Sequence, residues 1–161
     1  MLETAGLDPR KAPAAGGGVD KWIPVMILSD AKQDASKSHL AKSIVKNTDD
    51  RTKRANYLQM VDSLFRAITQ DDFGSLFAGD PVTYKSAHSF KFKNKNETLR
   101  ELKRGKKDRI YVFPYDGKLG RYVFVLEALH KDQQTTPDHI KNYAESAIKV
   151  ILEAHNMDLI I

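Results

Sequence analysis

The sequence predicts an α+β domain, with an antiparallel sheet, an N-terminal helical hairpin and a C-terminal helix. Three observations lead to this prediction. Apolar residues recur at helical spacing between residues 57 and 68, alternate with a period of two in the segments that follow residue 82, and return to helical spacing after residue 137. Because the predicted strands of the middle segment follow one another directly, they should pair as antiparallel hairpins, with the helices on one face of the sheet.

The composition is that of one globular domain. The chain has 161 residues, of which 41% are hydrophobic, so it can form a substantial core. No apolar run approaches the roughly 20 residues that a membrane helix requires, and the N-terminus lacks the pattern of a secretory signal. The absence of Cys excludes disulfides and thiolate metal sites. We therefore expect a cytoplasmic protein that does not contact a membrane.

The two ends of the chain differ in composition. Residues 1–20 contain Pro9, Pro13, an Ala pair and three consecutive Gly, which predicts a flexible tail before a folded domain of residues 21–161. The last three residues are Leu-Ile-Ile, which is too apolar for a free end, so we expect them to pack on the core.

The first elements are a short strand and two helices. The strand is predicted at 22–28, where Pro24 favours an edge position because proline cannot donate to a sheet ladder. A first helix is predicted from a cap at Ser29 or Asp30 to about Val45. The second is predicted from a cap at Thr48 or Asp49 to about Gln70, on the spacing of these apolar residues: Tyr57, Leu58, Val61, Leu64, Phe65 and Ile68.

A loop at 71–81 separates the second helix from the strands. The strands are predicted from Val82 onward, with a turn at 94–96, and then at 99–103, 109–115 and 121–130. The last two should be joined by a tight turn at Asp116–Gly117. A final helix should begin at Pro137 with Thr136 as its cap, and its core face is formed by Ile140, Tyr143, Ala144, Ala147, Ile148, Ile151 and Leu152.

The charge of the chain is concentrated in its middle. The formal net charge is +5, but residues 85–121 contain twelve Lys or Arg against four Asp or Glu, which gives that segment +8. Such an asymmetry is typical of a protein that binds a polyanion, although a solvated basic surface has the same composition.

Three short stretches resemble the RelE/HigB-like toxins, which are small ribonucleases of bacterial toxin–antitoxin systems in the RelE/ParE superfamily. Residues 99–103, Leu-Arg-Glu-Leu-Lys, are similar to the Leu-Trp-Glu-Leu-Arg strand of that family, and 108–111, Asp-Arg-Ile-Tyr, to its Tyr-Arg-Ile strand. Residues 134–137, Gln-Thr-Thr-Pro, are similar to its Gln-Lys-Thr-Pro stretch. The resemblance covers roughly 22–153 and implies a RelE-like fold, in which a first strand and a helical hairpin are followed along the chain by a curved antiparallel sheet and a last helix.

This resemblance also implies a function. It suggests a toxin that cleaves mRNA as a metal-independent endoribonuclease, without a cofactor, in association with the ribosome, and that is neutralised by an antitoxin of helix-turn-helix type. Two alternatives remain open: a toxin of the ParE branch, which inhibits DNA gyrase and cleaves nothing, and a module of the same fold that only binds protein or RNA.

The catalytic candidates follow from the chemistry of RNA cleavage. When the 2′-hydroxyl attacks the adjacent phosphate, a base must accept its proton, cations must stabilise the phosphate, and an acid must protonate the leaving oxygen. Arg109 and Lys131 match cationic positions of the family, and we expect both to be exposed, so that their loss would leave stability nearly unchanged. Glu101 and His130 are the candidate acid–base residues, although alternation along the strand places His130 on the opposite face from Lys131.

Asp132 and Thr135 depart from the family, which has lysines there, and they keep the non-catalytic alternative open. The candidate RNA-binding residues are cations of the basic segment, together with one aromatic residue that could stack on a base. They are Arg100, Lys103, Arg104, Lys106, Lys107 and Tyr111.

Overall fold

A computed structural model describes residues 20–28, 30 and 32–156. Within these ranges it contains five strands, three α-helices and two short 3-10 helices. Its elements are β1 (Ile23–Val25), a 3-10 helix (Ala35–Lys37), α1 (His39–Asn47), α2 (Arg51–Ala67), a 3-10 helix (Phe73–Ala78), β2 (Thr83–Phe92), β3 (Lys95–Arg104), β4 (Asp108–Gly117), β5 (Gly120–His130) and α3 (Asp138–Glu153). Most of the predicted tail (1–20) and the C-terminal Leu-Ile-Ile lie outside the described residues.

The sheet confirms the predicted fold class. Its strand order is β1-β5-β4-β3-β2, so that consecutive strands from β2 to β5 pair as antiparallel hairpins and only β1 pairs in parallel. The sheet is curved and open, with the α1–α2 hairpin before its main strands and α3 after them. As the position of Pro24 predicted, β1 is an edge strand.

The helices cover both faces of the sheet, which corrects the expectation that they lie on one. The face towards α2, here called the hairpin face, buries a core that includes Tyr57 and Met60 of α2 with Ile110 and Val112 of β4. The other face, here called the α3 face, buries a second core formed by Leu99, Tyr111, Phe113, Phe124, Leu126, Ile140, Ala144, Ile148 and Ile151. Successive residues of β4 point to opposite faces of the sheet, and the residues on each face are apolar. Each face therefore has to be covered by packed side chains of a helix.

The helices begin later than predicted. α1 starts at His39 instead of following Ser29 or Asp30, because the Ser38 hydroxyl accepts the Ala41 backbone N–H (3.1 Å) and caps the helix there. α2 is capped by Asp50 instead of Thr48 or Asp49, and it ends at Ala67 instead of Gln70. Leu58 was counted among the apolar residues of this helix in the prediction, but its side chain is exposed.

The segments on either side of the sheet also differ from the prediction. The expected loop at 71–81 contains the second 3-10 helix, Phe73–Ala78. Phe73 and Phe77 of this helix pack against Tyr84 of β2. Thr136 does not cap α3: its hydroxyl donates to the Ala87 carbonyl (3.0 Å), and Pro137 occupies the N-cap position without a side-chain hydrogen bond. This contact fixes the loop before α3 to β2.

No helix within 20–156, as far as these residues are described, is long and apolar enough to cross a membrane.

Side chains of helix α1 bond to the edge of β5 beyond the point where β1 ends. β1 pairs with β5 only as far as Phe124. Further along β5, Ser43 Oγ accepts the Ala128 N–H (2.9 Å), while Asn47 donates to the Ala128 carbonyl (3.2 Å) and accepts the His130 N–H (2.8 Å). These bonds satisfy backbone groups that a further strand would otherwise pair, and they fix the end of β5.

Candidate functional site

The candidate residues meet at one end of the sheet. Because β3, β4 and β5 are antiparallel, the end of β3, the start of β4 and the end of β5 are neighbours, and Arg104, Asp108 and His130 lie in register with one another. Alternation then divides the candidates: Glu101, Arg109 and Lys131 lie on the α3 face, whereas His130 lies on the hairpin face. His130 contacts Asp108, whereas Lys131 lies near Glu101 and Arg109, so the two neighbours are on opposite faces of the sheet.

Arg109 is not the exposed cation that we expected, since only 4% of it is accessible. Its Nε donates to Glu101 Oε1 (3.2 Å), and its Nη1 and Nη2 donate to the backbone carbonyls of Asp108 (2.9 Å) and Lys106 (2.9 Å). All three nitrogens of the guanidinium are thus bonded to the protein. The side chain holds the β3–β4 turn in place, and it is not directed at a ligand.

Glu101 and Lys131 complete this buried cluster. Oε1 of Glu101 also lies 3.5 Å from Nζ of Lys85, while its Oε2 has no hydrogen-bond partner among the described residues. Lys131 is only 6% accessible, so it too departs from the expected exposure. Burial lowers the pKa of its ammonium, and the negative charge of Glu101 opposes that shift. Its backbone N–H donates to the Lys107 carbonyl (2.7 Å), which ties the end of β5 to the turn.

Tyr111 cannot stack on a nucleobase, because it is completely buried under α3. Burial raises the pKa of its hydroxyl, and the nearby charge of Glu101 adds to the shift. Tyr111 pairs in register with Glu101 on one side and Glu127 on the other.

Glu127 also forms a pair with His39 of α1. Its Oε2 lies 2.9 Å from His39 Nε2, an ion-pair distance without the alignment of a hydrogen bond. No pattern in the sequence singles out either member of this last pair.

On the hairpin face, His130 forms a dyad with Asp108. Nδ1 of His130 lies 2.7 Å from Oδ1 of Asp108, and the other carboxylate oxygen accepts a hydrogen bond from Asn56 of α2 (2.6 Å). The Asp108 side chain is 5% accessible and that of His130 is 26% accessible. In the neutral imidazole, a carboxylate that accepts a hydrogen bond from Nδ1–H leaves Nε2 as the proton acceptor, so the buried acid can orient a solvent-accessible imidazole as a base.

The sequence did not identify Asp108 as functional, although it lies within the stretch that resembles the toxins. Its partner could be found only from the register of β4 against β5, which pairs Asp108 with His130.

The predicted RNA-binding cations do not form one surface. Arg104 bonds to Gln59 of α2 and to the Pro81 carbonyl (3.3 Å), so the hairpin side holds it. Arg100 lies over the ring of Tyr84, at 5.5 Å from the centroid. Lys103 is in register with Arg109 and therefore lies on the α3 face, whereas Lys106 and Lys107 are exposed in the turn.

No family model, curated protein or solved structure gave a significant match to this chain. Among the described residues, no group of three or more His, Asp or Glu side chains is arranged to hold a metal ion.

Proposed function

We propose that this protein is a RelE/HigB-like toxin that cleaves mRNA as an endoribonuclease, with His130 as its acid–base residue. The observation that carries the proposal is the His130–Asp108 dyad. An imidazole that remains accessible is oriented by a buried carboxylate, and it stands next to the basic turn at the end of β3.

The dyad suits attack by a 2′-hydroxyl on the neighbouring phosphate. Nε2 of His130 accepts the hydroxyl proton while the 2′-oxygen bonds to phosphorus, and Asp108 stabilises the imidazolium that results. The bond from phosphorus to the 5′-oxygen then breaks, and that oxygen takes a proton from solvent. The products are a 2′,3′-cyclic phosphate and a 5′-hydroxyl. Lys107, whose side chain is half exposed, can balance the negative charge that develops on the phosphate.

Glu101, Arg109 and Lys131 act in this proposal by positioning. The ion pair of Arg109 with Glu101 and the two carbonyl bonds of Arg109 fix the β3–β4 turn. The backbone bond from Lys131 to Lys107 ties the end of β5, and with it His130, to that turn. Their burial supports this role over direct contact with RNA.

The resemblance in three short stretches and the order of the elements support the toxin class. The basic middle segment fits an RNA substrate, and the proposal extends to the ribosome and to an antitoxin as partners in the cytoplasm. Expression in bacteria with and without a candidate antitoxin tests this wider claim: rapid loss of mRNA is expected, whereas DNA damage would favour a gyrase inhibitor.

The decisive test is cleavage of RNA by the purified full chain, with and without ribosomes. His130→Gln should lower the rate by about 100-fold or more, the usual contribution of a general acid–base residue. His88→Gln is a matched control, because His88 forms a similar pair with Glu145 (2.7 Å) away from this site. If the parent protein cleaves no RNA under either condition, the nuclease proposal fails.

A non-catalytic RNA-binding module is the second candidate, and a specific observation favours it. The two cations that the resemblance matches to catalytic positions, Arg109 and Lys131, are both buried. If this candidate is correct, the parent protein binds RNA without cutting it. His130→Gln then binds RNA with the same affinity as the parent and also cuts none.

A further inference from the structure

We propose that Lys107, with His130 and Lys53 nearby, forms a binding subsite for one phosphate group, and that the Asp132 carboxylate occupies this subsite as an internal substitute for phosphate. The inference rests on the proposed function, because it identifies where the substrate phosphate would lie. Its ligand class is a phosphate group, either free or within a nucleic acid chain.

The position of Asp132 is the first step of the argument. Its Oδ1 accepts a hydrogen bond from Lys107 Nζ (2.7 Å). The preceding residue, Lys131, donates its backbone N–H to the carbonyl of the same Lys107 (2.7 Å). The chain is therefore fixed to the turn one residue before Asp132, which holds the carboxylate next to the dyad although its side chain is 76% accessible.

The charges around this carboxylate are the second step. The hydrogen bond and the charge of Lys107 lower the pKa of Asp132, and His130 and Lys53, which lie nearby, contribute in the same direction. These three groups come from different elements: the β3–β4 turn, the end of β5 and helix α2. Lys53 is also bonded to Asp49 (2.8 Å) and His130 is paired with Asp108 (2.7 Å), so Lys107 provides the main attraction for an anion.

The weakness of the existing contact is the third step. An exposed pair of one lysine with one carboxylate contributes little to stability, because water and salt screen it. A phosphate offers more acceptor oxygens to the same cations, and charge-assisted hydrogen bonds to phosphate are strong. A phosphate can therefore displace Asp132 from Lys107. The bound phosphate then lies beside the imidazole that would accept the 2′-hydroxyl proton. Asp132 then acts as a built-in competitor of the substrate.

The test uses Asp132→Asn in the full chain, which removes the charge and keeps the size of the side chain. We expect it to tighten binding about two- to fivefold, the scale of one competing surface charge pair. Asp138→Asn is the matched control, because Asp138 is an exposed aspartate paired with Lys141 (3.1 Å) away from the site and its replacement changes the net charge equally.

Two ligands are titrated separately. Inorganic phosphate is followed through the NMR signals of the His130 imidazole, and a single-stranded RNA analogue without 2′-hydroxyls is followed by fluorescence anisotropy. Tighter binding of both ligands by Asp132→Asn alone supports a subsite for the phosphate group itself. Tighter binding of the oligonucleotide alone supports a subsite that requires a phosphate within a chain.

The inference is overturned if Asp132→Asn binds both ligands as the parent does, or if Asp138→Asn gives an equal increase, which would indicate a general effect of net charge. Because neither ligand is cleaved, this outcome is independent of catalysis. A protein that passes the binding test but cuts no RNA would retain the subsite and lose the proposed nuclease function.

Discussion

Arg109 on β4 and Glu101 on β3 form an ion pair inside the α3 face, with Nε and Oε1 separated by 3.2 Å and both side chains almost inaccessible to solvent. A buried pair of this kind constrains both partners, since either charge alone would be left buried without its main partner. The cation that the resemblance favoured for catalysis thus has a structural role that requires no substrate.

We therefore predict that Arg109→Ala destabilises the fold by about 3–5 kcal/mol, because it leaves Glu101 buried and without its main partner. The measurement is the free energy of unfolding in urea. The double variant Arg109→Met with Glu101→Gln should recover much of the loss, since it buries no net charge. A stability within about 0.5 kcal/mol of the parent, as expected for surface substitutions, would show that Arg109 is exposed in solution.

Asn47 provides a second prediction, because its side chain bonds to backbone groups of both Ala128 and His130. Asn47→Ala leaves the His130 N–H without this acceptor, so it should lower stability by about 1–3 kcal/mol. It should also disturb the imidazole signals of His130 in NMR spectra. Lys46→Ala, at an exposed neighbouring position of the same helix, serves as the control and should change neither quantity.

The carboxyl group of Asp80 should contribute to the pH dependence of the free energy of unfolding. Burial raises the pKa of Asp80, but hydrogen bonds from the Val82 N–H, the Ser63 hydroxyl and the Arg66 guanidinium together lower it by more, so the net shift is downward. The folded state therefore binds this proton more weakly than the unfolded chain, where the pKa is about 3.9. Its contribution is present above that pH and is lost as the pH falls through the lower folded value.

Comparison with Asp80→Asn isolates this contribution. The variant should be less stable than the parent by about 2 kcal/mol at neutral pH, the scale of hydrogen bonds to a charged group. The difference should shrink when urea unfolding is repeated below about pH 4, where the carboxylate of the unfolded chain takes up its proton. A difference that stays constant from neutral to strongly acidic pH would mean that the charge of Asp80 contributes nothing.

The salt dependence of RNA binding tests the basic turn. Each phosphate that a lysine or arginine neutralises releases counterions, so the logarithm of affinity falls linearly with the logarithm of salt concentration. Replacing Lys106 and Lys107 with Gln should make that slope shallower by about one for each phosphate that the turn no longer neutralises. Lys103→Gln should have less effect, because Lys103 lies on the other face of the sheet. An unchanged slope in the double variant would place the RNA elsewhere.

The sequence determined the order and type of the elements. Alternation identified β2, apolar runs on either side of a tight turn identified β4 and β5, helical spacing identified α2 and α3, and Pro24 placed β1 at an edge, because these patterns depend on local geometry. Helix starts were less accurate: several polar residues could cap α1 and α2, and only the packed structure selects Ser38 and Asp50.

The tertiary structure alone decided which residues meet at the site. Counted outward from the pair Asp116–Arg121, a regular hairpin would place Asp108 opposite Leu129. The register shifts by one between Tyr111 and Val112, so Asp108 faces His130 instead, and the dyad exists because of this bulge. Residues 122–126 are hydrophobic on both faces of β5, and a pattern without polar residues cannot fix a register to one position. The sequence thus specified strands that carry chemically useful residues, whereas the pairing of backbone hydrogen bonds determined which of them became partners.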